Sequence, residues 1–346
     1  MKNSEKSILV VGAGLAGVSV SVQLLRAGAK VTLIDNGINH CSRIAAGLIN
    51  PLVFRRMTKS WRADEFIHYL KTFYRELEKD TSQSFFHPMP VRRLFATAQE
   101  HDLWLEKQRS PQFKQYMHAL SEEDYNYSQG KNPHGSGRVK ETFCINVAAF
   151  FNATQLWIKQ HGLILSEEFD ASNLKELSYK GVAYDGVVFC QGYLNPSNKW
   201  FGSLPIEQTK GELLTIKSEL LPEDVSLNRK SFVLPMGGQT FKVGSNYAWN
   251  DATTHVTEEA KREILHNLSF ITDDTIIPIG QEAGVRPTTR NRRPLIGTHP
   301  KYKNYHVFNG LGAKGYMLAP LLSKEFVNHI LKGAPLNTEV DIKKHF

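Results

Sequence analysis

Residues 7–11, SILVV, are apolar after the first position, and residues 30–35, KVTLID, form a second strand-like stretch. Between them apolar side chains continue at helical spacing from 15 to 27 and stop at Gly28. This pattern predicts strand, turn, helix and strand in that order. Helical spacing also marks 62–79, where Phe66, Leu70, Phe73 and Leu77 share a face, and 147–161, with Gly162 as its stop. It marks 316–332 as well, where Leu318, Leu322, Phe326 and Ile330 repeat ahead of Gly333. A further helix is read at 258–270.

The turn between the first strand and helix carries Gly12, Gly14 and Gly17 in the spacing G-x-G-x-x-G. Gly12 permits the tight turn, Gly14 lets backbone approach a pyrophosphate, and Gly17 lets the helix pack closely on the strand. Around Ala13, Leu15 and Ala16 the helix start offers free N–H groups and a positive dipole end to phosphates. Asp35, followed by Asn36, ends the second strand, where a carboxylate can accept hydrogen bonds from a ribose diol. Strand, glycine turn, helix and acid together predict a dinucleotide site. They do not separate a nicotinamide from a flavin cofactor.

The next segment does. CSRIAAGLINPL (41–52) stands where a nicotinamide enzyme would continue with another helix and strand. It resembles the D-amino-acid oxidase, glycine oxidase and sarcosine oxidase family of flavoproteins, in which a Ser/Thr-x-x-Ala-Ala-Gly-Leu segment runs along FAD. The resemblance implies Ser42 and Arg43 at the pyrophosphate, with Ala45, Ala46, Gly47 and Leu48 against the isoalloxazine. Small residues suit that place because a flat ring system needs backbone at van der Waals distance. In chain order the resemblance extends to YDGVVFCQGY (184–193), with Cys190 and Gly192 on a second nucleotide-side strand. PIEQTKGELLTI (205–216) and SFVLPMGGQTFKVGSNY (231–247) look like substrate-domain strands. GVRPTTRNRRPLIG (284–297) matches a Gly-x-Arg-Pro segment, and FNGLGAKGYMLAPLLSKEFVNHIL (308–331) matches a closing glycine-rich loop and helix. Residues 86–136 and 217–230 carry none of these motifs.

The last match has physical content of its own. Gly310, Gly312, Ala313, Lys314, Gly315 and Tyr316 lead into a helix whose N-terminus, aimed at the flavin pyrimidine edge, would stabilise negative charge there. Lys314 either adds to that field or is a solvated loop lysine. The implied architecture is α/β, α+β overall. A discontinuous Rossmann-type FAD-binding domain takes 1–85, 137–202 and 284–346. A second, mainly antiparallel β-sheet substrate domain takes 86–136 and 203–283, with the flavin at the junction.

The implied chemistry is oxidation of the C–N bond of a small amino acid or N-substituted glycine by hydride transfer to flavin N5. Such a reaction asks for orientation more than for acid–base machinery. Arg286 matches the family's carboxylate-binding arginine, and a guanidinium fixes a carboxylate through two parallel hydrogen bonds. The competing role is a structural ion pair. Tyr193, Tyr247, Trp249 and Tyr316 are candidates for the pocket wall, with Tyr247 and Tyr316 near motifs that face the flavin. Lys242, two residues before Gly244, matches a lysine that activates oxygen in sarcosine-oxidase relatives; the competing placement is the outer face of an edge strand. Those relatives attach flavin through a cysteine in the segment matching 284–291. That segment holds none here, so non-covalent FAD is expected.

Composition narrows the alternatives. The 346 residues, 41% hydrophobic, can fill a sizeable core. Cys41, Cys144 and Cys190 are too scattered for a disulfide framework or zinc site, and the 13 histidines form no metal motif, so no metal is expected. A polar start running straight into a strand, and no apolar run near the roughly 20 residues that span a bilayer, point to a cytoplasmic globular protein. A net charge of +8 favours anionic partners. Arg286, Arg290, Arg292 and Arg293 crowd one segment. A second cluster, Arg55, Arg56, Lys59 and Arg62, joined by Arg92 and Arg93, is expected to rim the mouth and steer an acidic substrate. This charge keeps a second function open, oxidation of the carboxymethylaminomethyl group on the wobble uridine of tRNA, although no recognisable RNA-binding module is present. A non-catalytic FAD scaffold is disfavoured by the intact flavin and carboxylate motifs.

Overall fold

A computed structural model describes residues 5–38, 41–249 and 251–346. The first four residues of the expected 1–85 segment lie outside that set.

Ser7–Val11 lies inside a six-stranded sheet, parallel to Lys30–Ile34 on one side and to Gly186–Phe189 on the other. Leu163–Leu165 extends one edge, and Tyr305–Asn309 with antiparallel Leu295–Thr298 extends the other. Alternate residues of a strand face opposite sides. Ile8 and Val10 therefore join the cluster built with helices Leu15–Arg26, Ala63–Thr81, Val147–His161 and Gly315–Lys332. Leu9 and Val11 join a second cluster with Phe189, Trp200 and Phe201. A strand covered on both faces has to be apolar throughout, which explains the unbroken run.

The helices follow the expected periodicity. Phe66, Leu70, Phe73 and Leu77 are all fully buried. Asn146 caps Val147–His161 by accepting from the Ala149 N–H, and Thr257 caps Glu258–Leu268 in the same way from Ala260. Gly333, at φ 71°, closes the last helix. The helix expected from 62 starts at Ala63, because Arg62 adopts a left-handed conformation ahead of it.

A seven-stranded sheet forms the second layer, in the order Ile277–Thr288, Glu207–Lys217, Thr240–Gly244, Ser231–Gly237, Ser226–Arg229, Val91–Leu94 and Ser136–Val139. Its pairs are antiparallel except the one between Ser226–Arg229 and Val91–Leu94. Ser136–Val139 and Ile277–Thr288 belong to this sheet along their whole length, so it runs past the edges expected at 136 and 283. Arg286 accordingly stands on this sheet, outside the dinucleotide-side strands. Among the described residues no helix is long and apolar enough to cross a membrane.

Candidate active site

The two sheets meet along a cavity of about 830 Å³. At one end is the glycine turn. Gly12 has φ 100°, and a Cβ there would come within 2.6 Å of the Cys190 carbonyl oxygen. A Cβ on Gly17 would collide with the Gly12 carbonyl. The turn, the helix and the chain leaving the strand Gly186–Phe189 can approach this closely only because both side chains are missing. Asp35 accepts from the Ala13 N–H at 2.6 Å, and Ser42 Oγ accepts from the Leu15 N–H at 3.1 Å, so Ser42 stands at the helix N-terminus. Gly12, Gly14, Leu15, Ala16, Asp35, Asn36, Ser42, Cys190 and Gly192 all line the cavity. Ala13 and Gly17 do not; they shape the turn from behind.

Arg43 departs from the expected position at the pyrophosphate. Its guanidinium lies over the Phe151 ring, 4.4 Å from the centroid, and does not line the cavity. Ala45, Ala46, Gly47 and Leu48 do line it. Gly47 has φ 78°, and a Cβ there would collide with the Ile145 carbonyl, so this segment lies flat against the strand Phe143–Ile145.

Gly310, Gly312, Ala313, Lys314, Gly315 and Tyr316 close the far wall. Lys314 is half-buried and tied to backbone, not a solvated loop lysine. Its ammonium donates to the carbonyls of Asn50 at 2.7 Å and Leu52 at 3.0 Å and to Ser60 Oγ at 2.7 Å. None of these acceptors carries a charge. Burial, reinforced by the nearby Arg292, pulls its pKa down to about 7. The Tyr316 hydroxyl donates to the Ser42 carbonyl at 2.7 Å, and burial raises its pKa, so it pins the Ser42 segment in place and is committed to backbone.

Arg286 enters the cavity from the strand Ile277–Thr288. One of its terminal nitrogens, Nη2, donates to Ser245 Oγ at 2.8 Å. The other, Nη1, is buried without a hydrogen-bond partner, and no carboxylate pairs with this arginine among the described residues. Tyr247 lies beneath the guanidinium, 4.8 Å from ring centroid to Cζ. Space for it comes from Gly211 on the neighbouring strand, where a Cβ would overlap Nη1, Nη2 and Cζ at once. Neither Gly211 nor Ser245 is singled out by a sequence motif. A glycine inside a strand marks close approach of a neighbour, and that was the available signal for Gly211.

Lys242 lies on Thr240–Gly244, an interior strand of the sheet and not an edge. It does not line the cavity. Its ammonium pairs with Glu282 at 3.2 Å and lies 3.4 Å from the carbonyl of Ile44, behind the segment that does. Cys41 lines the cavity beside Arg286; burial raises its pKa and the guanidinium opposes that rise.

The expected ring of cations is only partly a rim. Arg92 and Arg93 are buried structural residues: Arg92 holds Asp124 and Glu123, and Arg93 holds Glu100 and Asn228. Arg62 pairs with Glu65 and Glu325, Lys59 with Asp64, and Arg293 with Glu339. Arg55 and Arg56 are exposed, as are Arg290 and Arg292, and none of the four has an ion pair among the described residues.

The sequence model of the FAD-dependent oxidoreductase family (DAO) matches residues 7–328. The chain belongs to that family. Glycine oxidase from Geobacillus kaustophilus superposes with a TM-score of 0.81 over 98% of each chain at 17% identity. Iminodiacetate oxidase from Chelativorans sp. BNC1 superposes at 0.78 over 98% of each chain at 16% identity. The bifunctional tRNA 5-methylaminomethyl-2-thiouridine biosynthesis protein MnmC of Acinetobacter baylyi is 23% identical over 95% of this chain, which spans 53% of that protein. The protein is thus an FAD-dependent oxidoreductase, and the cavity fits its cofactor. Gly12, Gly14, Ala45, Ala46 and Gly47 line it with backbone and small side chains, and a helix N-terminus stands beside Ser42.

Proposed function

We propose that the protein oxidises the C–N bond of a small carboxylated amine, an amino acid or an N-substituted glycine, whose carboxylate is held by Arg286. The observation that carries this reading is the buried, unpartnered Nη1 of Arg286, with Nη2 already oriented by Ser245. A buried guanidinium nitrogen without an acceptor is costly, and a carboxylate arriving from the cavity supplies that acceptor. Tyr247 covers the guanidinium and Gly211 leaves it room, so the fork is set before substrate arrives. Leu213 and Phe232 add apolar wall that keeps water from the held amine. FAD held along Ala45–Leu48 would supply the hydride acceptor. The test is anaerobic bleaching of the flavin, screened against glycine, sarcosine, D-amino acids and proline. Arg286→Lys should raise KM strongly while FAD stays bound, because an ammonium cannot make two parallel hydrogen bonds. An unchanged KM would sink the carboxylate role.

A second reading is the carboxymethylaminomethyl group of a tRNA wobble uridine, itself an N-substituted glycine. The unpaired Arg55, Arg56, Arg290 and Arg292 favour it, together with the likeness to MnmC. A salt-sensitive gel shift with tRNA, and flavin bleaching by it, support this reading; absence of both rejects it.

A further inference from the structure

The segment that follows Thr240–Gly244 is braced along its length. Asn246 Oδ1 accepts from the Glu212 N–H at 2.8 Å, and Ala248 and Lys210 exchange both backbone hydrogen bonds. The Lys210 ammonium reaches Asp251 at 2.7 Å, and the Glu212 carboxylate accepts from the N–H and hydroxyl of Thr257, each at 2.9 Å. Lys210 and Glu212 are each only 1% exposed, 3.5 Å apart. Burying this pair is expensive unless every donor and acceptor is used. What the brace carries is two large rings turned outward. Tyr247 is 49% exposed and Trp249 55%, with ring planes 22° apart and centroids separated by 6.3 Å.

Ring surface left in water is unfavourable, and a loose loop would fold it inward. Here the rings are held at the mouth, and both line the cavity that contains Arg286. Exposed Arg290 and Arg292 line it too, a surrounding that favours an electron-rich ring. We propose that Tyr247 and Trp249 are a stacking platform for a planar aromatic ring carried on the substrate's amine nitrogen. This rests on Arg286 as the carboxylate hook. A glycine unit held there is only a few atoms long, so a ring on its nitrogen reaches the rim that these side chains form. The substrate class is then an N-arylmethyl glycine or a larger heteroaromatic relative.

The experiment uses the FAD-loaded protein with three probes: sarcosine, N-benzylglycine, and N-(cyclohexylmethyl)glycine, which has similar bulk without planarity. N-benzylglycine should reduce the flavin with the highest kcat/KM of the three. Trp249→Ala should lower the N-benzylglycine to sarcosine ratio roughly ten-fold, in line with a lost stacking contact, and Trp249→Phe should restore most of it. A second readout does not depend on turnover. (Benzylthio)acetate, with sulfur in place of the amine, should quench tryptophan emission on binding, and Trp249→Ala should weaken its binding more than that of (methylthio)acetate. Equal preference for benzyl and cyclohexylmethyl substrates, or a ratio unmoved by Trp249→Ala, overturns the platform. Failure of all three amines to reduce the flavin overturns the proposed function instead.

Discussion

Gly211→Ala should disable the carboxylate site without touching any residue that binds substrate. Gly211 pairs across the sheet with Gly284, two positions before Arg286. The Arg286 side chain leans over it, and an alanine methyl would occupy the space of the guanidinium. The obstacle is the far end of a flexible side chain, so the backbone can stay and the arginine must move. Gly211 does not have a positive φ, so alanine brings no left-handed strain, and strand glycines are intrinsically weak. Stability should change by less than about 1 kcal/mol, or rise. The displaced arginine forfeits two charge-assisted hydrogen bonds to the carboxylate, each worth about 1.5–3 kcal/mol. Their loss corresponds to a KM rise of roughly 10²–10⁴-fold. The assay is steady-state kinetics with the best carboxylated amine, alongside thermal melting, for Gly211→Ala, Arg286→Met and the double variant. The two effects should not add, because both remove one interaction. A normal KM in Gly211→Ala, or an undiminished penalty from it in the Arg286→Met background, refutes the argument.

Three further outcomes are expected. Acid precipitation should release FAD into the supernatant, since the 284–291 segment lacks a cysteine; a yellow pellet would implicate Cys41 or Cys190, which line the cavity. Lys242→Met should leave reoxidation of the flavin by oxygen close to the wild-type rate, because the ammonium is off the cavity wall and paired with Glu282; a selective loss of stopped-flow reoxidation would contradict that placement. FAD-stripped protein should gain stability as pH rises from about 7 towards 10.5, because in that window the unfolded chain protonates Lys314 and the folded chain does not. Over the whole window this amounts to roughly 5 kcal/mol at 1.36 kcal/mol per pKa unit, and Lys314→Met should flatten the rise; parallel stability curves for the two proteins contradict it.

Much of the nucleotide half was legible because each feature there is local. An apolar run, three glycines and an acid within thirty residues encode strand, turn, helix and strand, and Gly12 and Gly17 make the close approaches that the spacing predicts. The second sheet was harder to bound. Ser136–Val139 is four residues long and pairs with a single strand, Val91–Leu94, more than forty positions away, so nothing in its own pattern reveals its partner. Likewise Ile277–Thr288 puts Ile277 and Ile279 on its exposed face and turns fully inward only at Ala283, so its first half shows the reverse of the apolar-in pattern that marks a half-buried strand.

Charge was the least legible property, for a physical reason. A sequence counts cations, but function depends on which of them lack an anion once the chain has folded. Arg92 and Arg93 read as candidates for a rim and instead hold Asp124 and Glu100 inside the protein, with acids supplied from separate segments. Arg286 and Lys314 lie in similarly basic surroundings, yet neither receives a carboxylate among the described residues. Ser245 takes one guanidinium nitrogen and three neutral oxygens take the ammonium. A cation kept inside on neutral partners is a poor stabiliser of the fold. Under the proposed function, such a cation would stabilise negative charge that comes from outside, the substrate carboxylate in the case of Arg286. Arg286 and Lys314 line the cavity from different walls, and what separates them from Arg92 and Arg93 is that no anion of the fold reaches them among the described residues.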